Sequence, residues 1–341
     1  MQALNLDSVC KLPDWPAALN GRSECRTEVI THLRLRDPAE SSCIQGSATE
    51  EENAQGNEPF VLMKFAPPAF VSGVLRNVKG TLGLREEFQV STCTFLTTSW
   101  DDGHPLDLRV AEMLAKYNLQ GTFYVPKHAK TRTMNSGQLR ALASGFEIGA
   151  HTLNHVKLTS LANPHARDEI ISSKNWIEYE TGTPCRMFCP PSGRFSAVHV
   201  KMARDAGFSG LRTVEMASLS YPHPLSGISI MPTSVQAHPH GIAGYFRNAV
   251  RRAAFRNFWS YISHGRSGDW TSMACSLLDS AIRNGGTFHL WGHSWELEEQ
   301  EQWQRLELVL KEMGNYTSRV LCVDNFKVCS TIAAPLVMGK T

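Results

Sequence analysis

Thr97-Thr98-Ser99-Trp100-Asp101-Asp102-Gly103-His104 follows directly on an apolar run over residues 93–96, and it sets two adjacent carboxylates just ahead of a glycine. Neighbouring side chains on an extended chain point to opposite sides, so the two aspartates serve different ends only where the backbone turns. Gly103 supplies the freedom for that turn. A strand ending in a polar turn is where α/β folds place their chemistry. The same residues also fit a plain Asp-Gly turn between strand and helix. What tips the reading toward a site is Gly149-Ala150-His151-Thr152-Leu153-Asn154-His155, whose two histidines are metal-ligand types.

On either side of these stretches, strand and helix patterns alternate. Strands are expected over residues 93–98, 122–125, 146–149, 185–188, 210–214, 287–291 and 319–323. Helical spacing of apolar residues marks 106–117, 136–144, 164–181, 196–206, 270–283 and 302–313. Residues 243–256 read as a further, basic helix, whose Arg247, Arg251, Arg252 and Arg256 fit a solvated face better than a phosphate site. Residues 225–236 read as an extended, irregular insertion. Strands separated by helices of this length argue for parallel β/α units. About seven such strands are enough for a barrel or near-barrel, with the polar motifs on the face after the strands.

The chain has 341 residues, 42% apolar and 19% charged, as a globular protein with a substantial core has. A formal net charge of +2 argues against nucleic acid as a partner. Nine cysteines, an odd number without a repeated CxxC spacing, argue against a disulfide framework and a cysteine zinc site. No stretch approaches the roughly 20 apolar residues that span a bilayer, and the N-terminus carries no basic region followed by an apolar core, so a cytoplasmic location is expected. Residues 41–59 are acidic and small polar, a composition that cannot bury enough surface to fold alone. Residues 1–90 are therefore read as a poorly structured extension, with Met63 as an alternative start, and 91–333 as the folded domain.

His151 and His155 are four apart, the spacing of two imidazoles on one side of a helical turn. With one carboxylate from elsewhere they make a three-ligand set that leaves positions open for water and substrate. Alone, such a pair also fits two unconnected surface histidines.

Taken in order, Ser99-Trp100-Asp101-Asp102-Gly103, His151-Thr152-Leu153-Asn154-His155, Pro190-Pro191-Ser192-Gly193 and Trp291-Gly292-His293 resemble the motifs of the NodB-homology polysaccharide deacetylases over residues 92–330. The resemblance implies a distorted (β/α) barrel and a metal-dependent hydrolase that removes an N-acetyl group from an acetylated sugar. It implies Asp102, His151 and His155 as ligands of one divalent metal, zinc ahead of cobalt, nickel or another transition metal. Asp101 would be the general base and His293 the general acid, with His289 as the competitor for the second role. Pro191, Gly193 and Trp291 would line the substrate site, and an acetylated carbohydrate is the implied partner. The rival readings are hydrolysis of another non-peptide C–N bond and a weakened carbohydrate-binding barrel.

The chain departs from the family pattern at particular places. Cys189 stands where the family carries an arginine that steadies the base, and Arg194 is a candidate replacement. Ser192 replaces an aromatic residue of the sugar groove, and Trp291 an aliphatic one beside the acetyl methyl. Asp269, in a loose counterpart of the fourth motif, either orients His293 or caps the helix after it.

Overall fold

The computed structural model describes residues 93–264 and 269–333. The expected N-terminal extension and the alternative start at Met63 lie outside the described residues.

The fold is organised around β1 (Thr94–Asp101), whose eight residues are all buried. Such burial on both faces is what a central parallel strand requires. On one side β1 pairs in parallel with β9 (Gly286–Gly292), from Thr94 opposite Gly286 to Trp100 opposite Gly292. On the other it pairs with β2 (Gly121–Val125) along its second half and with β10 (Leu321–Cys322) at Phe95 and Leu96. Beyond β2 follow β3 (Glu147–Ala150), β4 (Met187–Phe188), β5 (Gly210–Arg212), β7 (Ile228–Met231) and β6 (His223–Leu225). β8 (Val235–Gln236) lies beyond β9. Only β6 among the described strands pairs antiparallel, as a hairpin with β7.

Among the described residues ten strands thus stand where the sequence shows seven. The three unforeseen ones come from 223–236, where the sequence suggests an irregular insertion. This stretch has a structural task instead. It begins against β5 as β7 and ends against β9 as β8, so one extended segment turns both sides of the curled sheet toward each other. Ser234 N to His289 O at 3.0 Å and Ala237 N to Trp291 O at 2.7 Å continue the seam. Its short pieces, interrupted by Pro232 and Thr233, carry too few residues for a period to show.

Helices α1 (Asp107–Lys116), α2 (Ser136–Ala143), α3 (Asn163–Thr181) and α4 (Ala197–Asp205) connect β1 through β5. α2 starts at a reciprocal cap between Asn135 and Gln138, and α3 stops at Gly182 in the left-handed region. The expected basic helix over 243–256 is two helices, α5 (Ile242–Arg252) and α6 (Phe255–His264). The break is at Ala253, which has φ of 52°. The exposed side of this pair is apolar as well as basic, with Phe246, Val250 and Trp259 at least half exposed. α7 (Trp270–Asn284), α8 (Ser294–Glu299), α9 (Trp303–Gly314) and α10 (Asn325–Ala333) complete the described chain.

Alternation along β1 divides the core. Leu96 and Trp100 join the large cluster under the helices, whereas Phe95 belongs to a smaller one with Tyr124, Met187, Cys189 and Met231, sealed by Val328 and Cys329 of α10. Asp101, six residues from Phe95, falls on that second face. No described helix is long and apolar enough to cross a membrane.

Candidate metal centre and acid–base pair

Because the strands run parallel, the C-terminal ends of β1, β3, β4, β5 and β9 come to one rim of the sheet, and with them Asp101, His151, Cys189, Arg212 and His293. The turn after β1 decides how the two aspartates part. Asp102 has φ of 77° and Gly103 φ of 61°. Two left-handed residues in succession swing Asp102 out of the alternation that Asp101 still obeys. Only glycine fits at 103, since a Cβ there would lie 2.5 Å from Val125 Cγ1. Thr152, His155 and Ser192, in the loops after β3 and β4, are also left-handed non-glycine residues. Such strain gathers where surrounding structure holds a site in place.

His151 and His155 do converge, but not on a helical turn. They lie in a non-helical loop after β3, with ring centroids 5.0 Å apart. Glu169 of α3 pins this loop, accepting from Leu153 N and Asn154 N at 2.9 Å each and from Asn154 Nδ2 at 2.5 Å. Glu169 was not singled out by the sequence, because nothing in its helical position distinguishes it from a solvated glutamate.

Nε2 of His155 lies 3.0 Å, and Nε2 of His151 3.5 Å, from Oδ1 of Asp102. That oxygen is buried and accepts no hydrogen bond in the structure. Nδ1 of His151 is 2.6 Å from the carbonyl oxygen of Cys189. A carbonyl can only accept, so Nδ1 carries the proton and Nε2 presents its lone pair to Asp102. The ligand atoms of Asp102, His151 and His155 all lie within 4.8 Å of one another. Two imidazole nitrogens and one orphaned carboxylate oxygen fit a divalent transition metal with an open coordination position. Asp101, His151 and Cys189 are similarly close. That second group does not suit a cation, because Asp101 already holds one in Arg212.

Burial alone would raise the Asp102 carboxyl, but the imidazoles of His151 and His155 and the charge of His293 hold it well below the usual carboxylate range. Its other oxygen, Oδ2, accepts from Trp295 Nε1 at 2.9 Å. Trp295 therefore fixes the Asp102 carboxylate from the side away from the imidazoles.

Asp101 is 3% exposed. Its Oδ1 accepts from Nη2 of Arg212, which is fully buried at the end of β5. Arg212 Cζ lies 4.7 Å from the centroid of the Trp291 ring and 5.1 Å from that of Tyr124. These rings and Asp101 keep the guanidinium charged although burial opposes it. Sγ of Cys189 is 3.9 Å from Oδ2 of Asp101. The arginine that meets Asp101 thus comes from the next strand, β5, and is not Arg194, which is exposed. The available signal was a charged residue inside a short apolar strand, Gly210-Leu211-Arg212.

His293 follows β9, and its Nδ1 lies 2.7 Å from Oε2 of Glu296 one turn along α8. Burial lowers the His293 imidazolium, but Glu296, Asp101 and Asp102 more than offset this and raise it to about 9. Glu296 also accepts from Gln236 Nε2 at 3.0 Å. Asp269 caps α7, accepting from Thr271 N at 3.4 Å and Ser272 N at 3.3 Å, and pairs with Arg305. Glu296 is therefore the carboxylate that holds His293. His289 is fully buried, with Nε2 2.9 Å from Ser99 Oγ and Nδ1 3.2 Å from Pro232 O. Burial, then the charge of Arg212, lowers it to about 3.

Pro191 and Gly193 are buried in a 3-10 turn after β4, whereas Ser192 between them is exposed. Ser192 and Trp291 line one pocket, while Pro191 and Gly193 do not reach it.

The family model for polysaccharide deacetylases matches residues 90–211. A peptidoglycan-N-acetylglucosamine deacetylase of Bacillus cereus is 27% identical over 100 residues, covering 29% of this chain and 46% of that protein. The uncharacterized protein YlxY of Bacillus subtilis is 23% identical over 133 residues, 39% of this chain and 40% of that protein. The chain thus spans less than half the length of either relative it matches. Among solved structures, a protein of Mycobacterium smegmatis classed with the polysaccharide deacetylases shares the fold, with a TM-score of 0.53 and 15% identity over 71% of this chain and 90% of that one. The family match contains Asp101, Asp102, His151 and His155 and stops one residue before Arg212. Residues 90–211 thus match the polysaccharide deacetylase family model, and the chain around them has the expected curled parallel sheet.

Proposed function

We propose that the chain is a metal-dependent hydrolase that removes an N-acetyl group from an acetylated sugar, with Asp102, His151 and His155 holding the ion. The observation that carries this reading is the division between adjacent aspartates. Asp102 turns to the two imidazoles, while Asp101 faces the interior and is tied to Arg212. One divalent ion, when bound, would acidify a coordinated water and polarise the acyl oxygen. Zinc is the ion proposed, because catalytic zinc sites include sets of two histidines and one carboxylate with a position left open.

Asp101 has Oδ1 committed to Arg212, which leaves Oδ2 to accept a proton from attacking water. His293, held at Nδ1 by Glu296, offers its Nε2 proton to the departing amine. The two groups have unlike environments, a carboxylate against an arginine and an imidazole against a carboxylate. Such pairs separate base from acid. The name of the Bacillus cereus relative supports an N-acetylglucosamine residue as the sugar.

The test pairs metal content with acetate release from chito-oligosaccharides. The zinc-loaded chain should release acetate, and His151→Ala/His155→Ala should lose both metal and activity. Asp101→Asn should keep the metal and lose turnover by about 10²–10⁴-fold. Equal loss of metal in Asp101→Asn would contradict the division of labour, and acetate release by the double histidine variant would end the proposal.

A further inference from the structure

A pocket of about 370 Å³ opens beside His293, sharing with it the Gln236–Glu296 link and the Trp291 ring, whose centroid is 5.7 Å from that of His293. Its far wall is α5, which contributes Arg247 and Arg251. These are one helical turn apart, so two like charges face the same space and repel each other. None of the ion pairs among the described residues involves either guanidinium. Asn248, on the same helix, accepts from Met216 N at 3.1 Å and donates to Val214 O at 2.7 Å. That clamp fixes α5 against the segment after β5, and with it the position of both arginines.

A second observation is independent of the helix. Trp291 lines the pocket, is 5% exposed, and its indole N–H has no hydrogen-bond partner in the structure. The indole nitrogen itself is closed to solvent, so Trp291 meets the pocket with its ring. The amide and carboxylate acceptors beside the pocket are meanwhile committed. Gln236 directs Nε2 to Glu296, so its Oε1 receives the proton of His240 Nε2 at 2.7 Å. Glu296 is taken by His293 and Gln236 together. The charged groups left free in the lining are therefore the two guanidinium groups.

We infer that this pocket binds an anionic group, a carboxylate or a phosphate, carried by the substrate next to the N-acetylated sugar. Arg247 and Arg251 are its cationic partners, and the Trp291 ring forms part of the pocket wall. Arginine suits such oxygens because its fork offers two parallel N–H bonds. The inference rests on the deacetylase reading above and narrows it to acidic or phosphorylated glycans.

Calorimetric titration of the zinc-loaded full chain tests it with three probes. These are neutral chitotetraose, a tetrasaccharide alternating N-acetylglucosamine with glucuronic acid, and N-acetylglucosamine 1-phosphate. At least one anionic probe should bind at least about tenfold more tightly than its neutral counterpart, chitotetraose or free N-acetylglucosamine, and the advantage should shrink as salt screens the charges. The probe that carries the advantage identifies carboxylate or phosphate. Arg247→Gln/Arg251→Gln should abolish the advantage and leave neutral binding unchanged, while Arg247→Lys/Arg251→Lys should retain part of it. Equal affinity for neutral and anionic probes, or an advantage that survives the double glutamine change, overturns the inference. Acetate release is read separately. Its absence from every probe counts against the deacetylase reading, while the affinity comparison still decides the anion site.

Discussion

Arg212 at the end of β5 donates to Oδ1 of Asp101 at the end of β1, and both side chains are buried, at 0% and 4% exposure. The pair spans the interior of the curled sheet, between the rings of Tyr124 and Trp291. Burial of two charges is costly, and it is sustained only while each has the other. The consequence for Asp101 is directional. One oxygen is fixed, the carboxylate plane is set, and Oδ2 is left beside Cys189.

Breaking that pair should be expensive. Arg212→Met strands the Asp101 charge in the interior, and should lower unfolding free energy by about 3–5 kcal/mol. Asp101→Asn/Arg212→Met should recover part of that loss, because neither charge remains to be stranded. Urea denaturation of the wild type, both single variants and the double variant gives the coupling energy. Additive losses would show that the two side chains act independently.

Trp295 should matter to the metal and not to the fold. Trp295→Phe keeps an aromatic side chain, though a smaller one, and removes the N–H that holds Asp102 Oδ2 at 2.9 Å. Loss of a hydrogen bond to a ligating carboxylate weakens metal affinity by about 10–100-fold. Zinc titration against a competing chelator should show that change with an unaltered melting temperature. Unchanged affinity would mean that Asp102 is oriented by its backbone turn alone.

Glu296 and Asp269 separate by pH profile. His293 acts as an acid only while protonated, so activity should fall as pH rises through its raised pKa. Glu296→Gln removes the hydrogen-bonded charge responsible for most of the rise, and the alkaline limb should move to lower pH. A divalent ion beside Asp102 opposes the rise in both proteins, so the comparison is made between them. Asp269→Ala should leave the limb in place and cost about 1 kcal/mol through the lost helix cap. A limb that moves with Asp269 and not with Glu296 would reverse the assignment.

The central strand, the acidic turn and the histidine loop were legible because each is a contiguous motif with its own local signature. What the sequence hid depends on contacts between distant residues. Arg212 and Asp101 are 111 positions apart, and no local period announces a cation that reaches across a sheet. The seam at 228–236 was missed for a different reason. Its strands are two to four residues long and change partners midway, which leaves no alternation to count. The choice between Asp269 and Glu296 turned on geometry alone, since both precede or begin a helix and both are carboxylates.

His289 should reveal itself through acid stability. Its folded pKa, lowered to about 3 by burial, lies below the usual value of 6.5, so the unfolded chain takes up a proton that the native chain refuses. The stability this represents is present above pH 6.5 and is lost as pH falls toward about 3, by up to about 1.4 kcal/mol per pH unit. His289→Gln cannot titrate, yet it can still hydrogen-bond to Ser99 or Pro232. Urea unfolding at pH 7, 6 and 5 should give a wild-type stability that declines more steeply than that of the variant. Parallel curves would place a proton on native His289 and undo its assignment as a neutral packing residue, which would return it to contention with His293 for the acid role.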